Sequence, residues 1–170
     1  MALRNDGSSA YHNAFESTFS HGNVFLENRA DSSDYGFWLG YSTGNTVQGN
    51  IILGSRSVGI AIEHGATNRL LSNLVMGGKT GILLFIRDSN GPASRDYVVD
   101  GNTIGGVTRG LVLRRTAHVR VRGNIFDGVD EDCAEGMSVL VADGLIQEVA
   151  ARPIAAGDAR VIDVGGRTLM

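Results

Sequence analysis

Eight side chains in this sequence are of types that could act together on one ligand: Glu16, Trp38, Tyr41, Glu63, His64, Arg87, Asp88 and Arg114. Carboxylates, an imidazole and guanidinium groups offer acid, base and cation, and the two aromatic rings offer flat apolar faces. A sugar suits this set. An aromatic face packs on the C–H surface of a pyranose ring, while carboxylate and guanidinium groups hydrogen-bond its hydroxyls or a uronic carboxylate. β-Elimination of a uronate needs a base near the C5 proton and a cation on the carboxylate, chemistries that His64 and Arg87 or Arg114 possess. Hydrolysis needs two carboxylates, and Glu16 with Glu63 is the pair on offer. The catalytic candidates are therefore Glu63, His64 and Arg87, and the substrate-binding candidates are Trp38, Tyr41, Asp88, Arg114 and Glu16. A plainer alternative makes Glu63 and Arg114 a solvated ion pair and His64 a turn residue. Trp38 has fewer plain explanations, because large exposed aromatics usually mark contact surfaces.

What would bring these residues together is a repeat. A Gly-Asn or Ser-Asn step followed by apolar residues recurs at Gly22-Asn23, Gly49-Asn50, Ser72-Asn73, Gly101-Asn102 and Gly123-Asn124. A second element, Gly followed by apolar residues, starts at Gly36, Gly59, Gly81 and Gly110. Asn73 to Gly81, Asn102 to Gly110, Leu39 to Val47, Ile62 to Leu70 and Leu113 to Val121 are all steps of 8, and the short steps complete a unit of 22 residues. Runs of three to five residues are too short for helices and suit strands, with Gly and Asn at the left-handed turns. One coil cannot bury its apolar face, so coils must stack, each strand pairing in parallel with its equivalent about 4.8 Å away.

Stacking predicts columns. Asn23, Asn50, Asn73, Asn102 and Asn124 are expected to form an amide ladder. The expected inward columns are Phe37, Ile60, Ile82, Leu111; Leu39, Ile62, Leu84, Leu113; Val47, Leu70, Val99, Val121; and Phe25, Ile52, Val75, Ile104, Phe126. On the outside, Gly40, Glu63, Phe85 and Arg114 fall in one column and Tyr41, His64 and Arg115 in the next, with Trp38 two positions back. A further outward column, Val24, Ile51, Leu74, Thr103 and Ile125, is almost wholly apolar and calls for a cover, either the C-terminal strands or a second protomer. Two insertions interrupt the period: Leu84 to Val99 is a step of 15, around residues 87–96, and Asn23 to Gly36 a step of 13. Insertions of this kind become loops on the wall.

The pattern over residues 22–126 resembles the parallel β-helix repeat family, whose relatives include pectate lyases, polygalacturonases and alginate epimerases. The resemblance implies an all-β, right-handed parallel β-helix solenoid and an extracellular or periplasmic setting, and it leaves open lyase, epimerase, hydrolase or non-catalytic binding roles. Residues 1–21 have two readings. Tyr11, Phe15 and Phe19 at four-residue spacing fit an amphipathic cap helix; alternatively Asn13-Ala14-Phe15-Glu16 opens a degenerate first coil with Glu16 above Gly40 and Glu63. After a linker at 127–136, residues 137–170 read as a small β appendage: a hairpin of Val139-Leu140-Val141 and Leu145 to Val149 about Asp143-Gly144, then Val161 to Val164. This appendage resembles the opening β-segment of metal-dependent amidohydrolases. It stops before that family's His-x-His pair, so no catalytic or metal-binding role carries over.

Composition narrows the partners. Residues are 42% hydrophobic and 19% charged, as in folded domains, while 24 Gly against 2 Pro implies many turns. Fifteen basic and 18 acidic residues give a net charge of −3, without the basic stripe expected of a nucleic-acid partner. One cysteine, Cys133, excludes an internal disulfide and a thiolate metal cluster. The N-terminus lacks the apolar core of a signal peptide, and no stretch has the length of a membrane span. No cofactor and no metal are expected. The expected partner is a polysaccharide, with a homo-oligomer formed through the apolar wall as the structural alternative.

Overall fold

Each coil begins at an asparagine-flanked corner, runs a short leg, bends, and runs a longer leg before the next corner. In the computed structural model, which describes residues 1–87, 91–128, 138–142, 145–150, 153–155 and 157, every regular element is a β-strand. Two parallel sheets form a β-solenoid of about 5 turns. One sheet stacks Ala2–Leu3, Val24–Leu26, Thr46–Gln48, Arg69–Leu71, Ser94–Asp100 and Thr116–Arg122. The other stacks Asn13–Thr18, Tyr35–Gly40, Ile51–Glu63, Leu74–Phe85, Thr103–Arg114 and Ile125–Gly128, with Arg29–Asp31 beside the start of Ile51–Glu63. The chain divides into two compact units, Met1–Val129 and Asp130–Met170. In the second unit Ser138–Ala142 and Leu145–Ala150 pair antiparallel, whereas the expected strand at Val161 to Val164 lies outside the described residues.

The core columns follow from this stacking. Phe37, Ile60, Ile82 and Leu111 are in register, as are Val47, Leu70, Val99 and Val121. Their central members are fully buried, while Leu113 and Val121 in the last full coil are exposed. Two columns differ from expectation at their heads. Phe25 pairs with Val47, and Ala30 takes the place above Ile52. Val24 likewise sits above Thr46, so the outward apolar column is headed by Arg29 and continues as Ile51, Leu74, Thr103 and Ile125.

The cause of both shifts is Asn28. The amide ladder runs Asn5, Asn28, Asn50, Asn73, Asn102, Asn124, each residue donating its backbone N–H and Nδ2 to the Oδ1 of the next at 2.8–3.1 Å. Asn23 belongs to a second ladder at another corner, with Asn45 and Asn68. From Asn28, Gly36 is the regular 8 residues on, so residues 23–36 contain no insertion. Glu27 holds the left-handed position (φ 53°) that Gly49 holds one coil later. A non-glycine residue there hid the repeat.

The glycines that open the longer leg have a different reason. A Cβ on Gly59 would lie 2.4 Å from Val75 Cγ1 and 2.7 Å from the Gly81 carbonyl, and one on Gly81 would lie 2.4 Å from Ile104 Cγ2. Close approach of the next coil, and no left-handed turn, requires glycine at this corner.

The N-terminal stretch is a strand, Asn13–Thr18, placed by Phe15, which stacks on Phe37 with ring centroids 4.8 Å apart. That contact puts Glu16 beside Trp38 and Thr18 beside Gly40, two positions from the register that would set Glu16 over Gly40 and Glu63.

Candidate functional site

The longer leg ends in a left-handed turn, occupied by Phe19, Tyr41, His64 and Arg115 with φ of 50–52°. Three of these rings stack coil on coil. Phe19 and Tyr41 lie 4.9 Å apart and Tyr41 and His64 4.7 Å apart between centroids, nearly parallel. Phe19 at one end is 73% exposed, whereas His64 at the other is 1% exposed.

The loop inserted between Phe85 and Ser94 covers His64. Its Nδ1 lies 2.8 Å from the Pro92 carbonyl oxygen, which can only accept, so Nδ1 carries the proton. Nε2 is buried and has no hydrogen-bond partner among the described residues. A Cβ on Gly91 would sit 2.4 Å from His64 Cε1, so glycine is what allows the loop to close on the ring. Glu63 is 6% exposed and faces Arg87 at 3.7 Å, a loose pair because the Arg87 side chain is 73% exposed.

Three positions back from this turn the outer wall is aromatic. Trp38 is partly exposed and packs edge-on against Tyr35 (4.9 Å) and Phe85 (6.0 Å). Together they cover Ala61, which faces outward yet is fully buried. Glu16 stands next to Trp38 in register, held by Asn13 Nδ2 and Thr18 Oγ1. Gly40, Glu63, Phe85 and Arg114 form one column, as expected.

The structure therefore gathers Glu16, Trp38, Glu63, Arg87 and Arg114 on one wall, with Tyr41 and His64 at the adjoining turn. Asp88 lies outside the described residues. Glu16 and Glu63 are not neighbours: a strand separates them, Glu16 is exposed and Glu63 is buried. Glu63 and His64 are thus not open wall groups: both are buried, and Gly91 and Pro92 lie against the His64 ring.

Two groups escaped the sequence reading. Ser17, Ser20 and Asn23 form a hydroxyl and amide cluster at the rim of the first coil, Asn23 Nδ2 donating to both hydroxyls at 3.0–3.2 Å. They line a shallow cleft with Glu16. The other group is the run 109–122, which holds five arginines and no carboxylate. Its composition was visible, but averaging charge over the chain conceals it.

A family model described as periplasmic copper-binding protein (NosD) matches residues 2–133. The chain belongs to this NosD family. The match covers the whole solenoid and ends before the C-terminal strand pair, so it gives no support to the amidohydrolase likeness there. No curated protein and no solved structure shows significant similarity to the chain.

The NosD description raises the question of whether copper fits these residues. Copper(II) favours clustered imidazole and oxygen donors, and copper(I) favours thiolate or thioether. The histidines are dispersed: His12 lies against the Tyr35 ring, His64 is buried under the loop, and His118 faces Asp96. Among the described residues no group of three or more His, Cys, Asp or Glu side chains converges. The described imidazoles and carboxylates therefore do not fit a copper(II) centre.

Proposed function

We propose that this NosD-family solenoid is a binding module for an acidic polysaccharide, engaged along the wall that carries Trp38. The observation that carries the reading is the partly exposed Trp38 ring, fixed edge-on by Tyr35 and Phe85 and flanked by Glu16 and the Glu63–Arg87 pair. A fixed aromatic face offers a sugar ring its contact area at little cost in side-chain freedom, and Arg87, mostly exposed, is able to turn toward a carboxylate. Binding is favoured over lyase, epimerase or hydrolase chemistry. A general base must come within about 3 Å of its proton, and His64 is covered by Gly91 with Nδ1 committed to Pro92. The periplasm, where the family is placed by its description, is the proposed setting.

Affinity electrophoresis in gels containing polygalacturonate or alginate tests this. Trp38→Ala should weaken retention about tenfold, equivalent to about 1.4 kcal/mol, with the thermal midpoint unchanged. Equal retention of Trp38→Ala, Arg87→Ala and the unmodified chain would overturn it. The rival reading, an assembly module, has its own observation in Ile51 and Ile125, 39% and 54% exposed on the outward column. It requires Ile51→Lys to reduce the oligomer seen by sedimentation.

A further inference from the structure

The arginines of the solenoid divide into two sets. Arg4, Arg29, Arg56, Arg87, Arg95 and Arg122 each face a carboxylate, respectively Glu27, Asp31, Asp34, Glu63, Asp96 and Asp100. Arg109, Arg114, Arg115 and Arg120 face none among the described residues, and all four are exposed. Arg69 is the other described arginine of this kind. In a chain of net charge −3, four of the five described arginines that face no carboxylate among the described residues thus lie on the last full coil.

Topology distributes these arginines along both legs of one coil and the turn between them. Arg109 and Arg114 lie on the strand Thr103–Arg114, in register with Thr80 and Phe85. Arg115 follows in the left-handed turn (φ 52°), so successive side chains diverge around the corner. Arg120 lies beyond it on Thr116–Arg122, next to Val119, which packs against the core. Four exposed guanidinium groups on one coil, none facing a carboxylate among the described residues, give a local excess of positive charge that a polyanion would balance. Their planar forks suit carboxylate or sulfate groups.

We infer that the last full coil is a binding band for the anionic groups of a polysaccharide, with Arg114 and Arg115 at its centre and Arg109 and Arg120 on its flanks. The inference rests on the glycan reading for its occupant, because the Arg114 column leads through Phe85 to the Trp38 wall. It assigns charge recognition to a coil that shares Arg114 with that wall and adds Arg109, Arg115 and Arg120 beyond it.

The test compares polygalacturonate with its methyl-esterified, uncharged form, for the unmodified chain, Arg114→Gln/Arg115→Gln, Arg109→Gln/Arg120→Gln and Trp38→Ala. Arg4→Gln, from an exposed carboxylate pair, serves as control. Both double variants should bind the acid form about tenfold more weakly and lose most of the salt dependence up to about 0.5 M NaCl, with binding of the ester unchanged. Trp38→Ala should weaken both forms. If the double variants bind the acid form as the unmodified chain does, or if Arg4→Gln has the same effect as they do, the band is refuted. Duplex DNA bound as tightly as polygalacturonate would refute the glycan occupant. Loss of the Trp38 effect alone would sink the wall reading and leave the band standing. Thermal midpoints check that each variant is folded.

Discussion

Two corners of the same coil are built from the same residue and reach different ends. At one, asparagine follows asparagine from Asn5 to Asn124 without a gap. At the other, Asn23, Asn45 and Asn68 give way to Tyr97, paired in turn with Val119. The Tyr97 hydroxyl bonds the Gly65 carbonyl at 2.7 Å and Ser94 Oγ at 2.9 Å, so one phenol spans what two amide contacts would otherwise join. The substitution occurs where the chain inserts residues: rungs elsewhere on the continuous corner are 22 or 23 residues apart, but Asn73 to Asn102 is 29. An amide rung fixes the coil on both its sides. A bulkier residue that reaches its own partners lets the chain depart and return, and the departure is what covers His64.

That contrast can be broken at several points. The largest effect should come from Gly81→Ala, whose Cβ meets Ile104 and the Gly110 carbonyl; we expect a loss of about 3 kcal/mol or more in urea unfolding, since backbone cannot retreat as a side chain can. Asn73→Ala comes next. Its amide donates to Asn102 and to the Val47 carbonyl while its Oδ1 receives Asn50, so about 2 to 3 kcal/mol should be lost.

At the second corner Tyr97→Phe removes one hydroxyl and should cost about 1 to 2 kcal/mol. Burial pushes the Tyr97 phenol up from 10.0 to about 12, the Ser94 and Gly65 hydrogen bonds opposing this. The folded state therefore retains a proton that the unfolded chain has lost. Stability should fall as pH rises from about 10 to about 12, and Tyr97→Phe should flatten that part of the profile. Asn5→Ala, at the exposed end of the continuous ladder, should change stability by no more than about 0.5 kcal/mol. A loss equal to that of Asn73→Ala would show that rungs act independently of burial.

Much of this architecture was legible in the sequence because glycine and apolar residues recur at fixed steps. The columns headed by Phe37 and Leu39, the loop after Leu84 and the convergence of Trp38 with Glu63 all follow from that rhythm. Asn28 did not, since Glu27 fills a slot where glycine or serine marks the four rungs that follow it and Arg29 interrupts the apolar signal. The second ladder was hidden for a related reason: Asn45 and Asn68 precede Thr46 and Arg69, which face outward in a three-residue strand. The burial of His64 beneath Gly91 and Pro92 had no signal at all. It depends on where an aperiodic loop lands, and periodicity is silent about that.

The ladder has one more consequence, for length. Each rung touches only its neighbours, and the stack is therefore one-dimensional. Excising residues 28–49, one whole coil, would bring Asn5 onto Asn50, Asn23 onto Asn68 and Phe15 onto Ile60, in each case a pairing of the kind that was lost. The solenoid is thus divisible: it can shorten or lengthen by a coil at a time while the rest remains in register. Trp38 would leave with that coil and the last-coil arginines would stay, so the two proposed recognition surfaces belong to separable parts of one continuous fold.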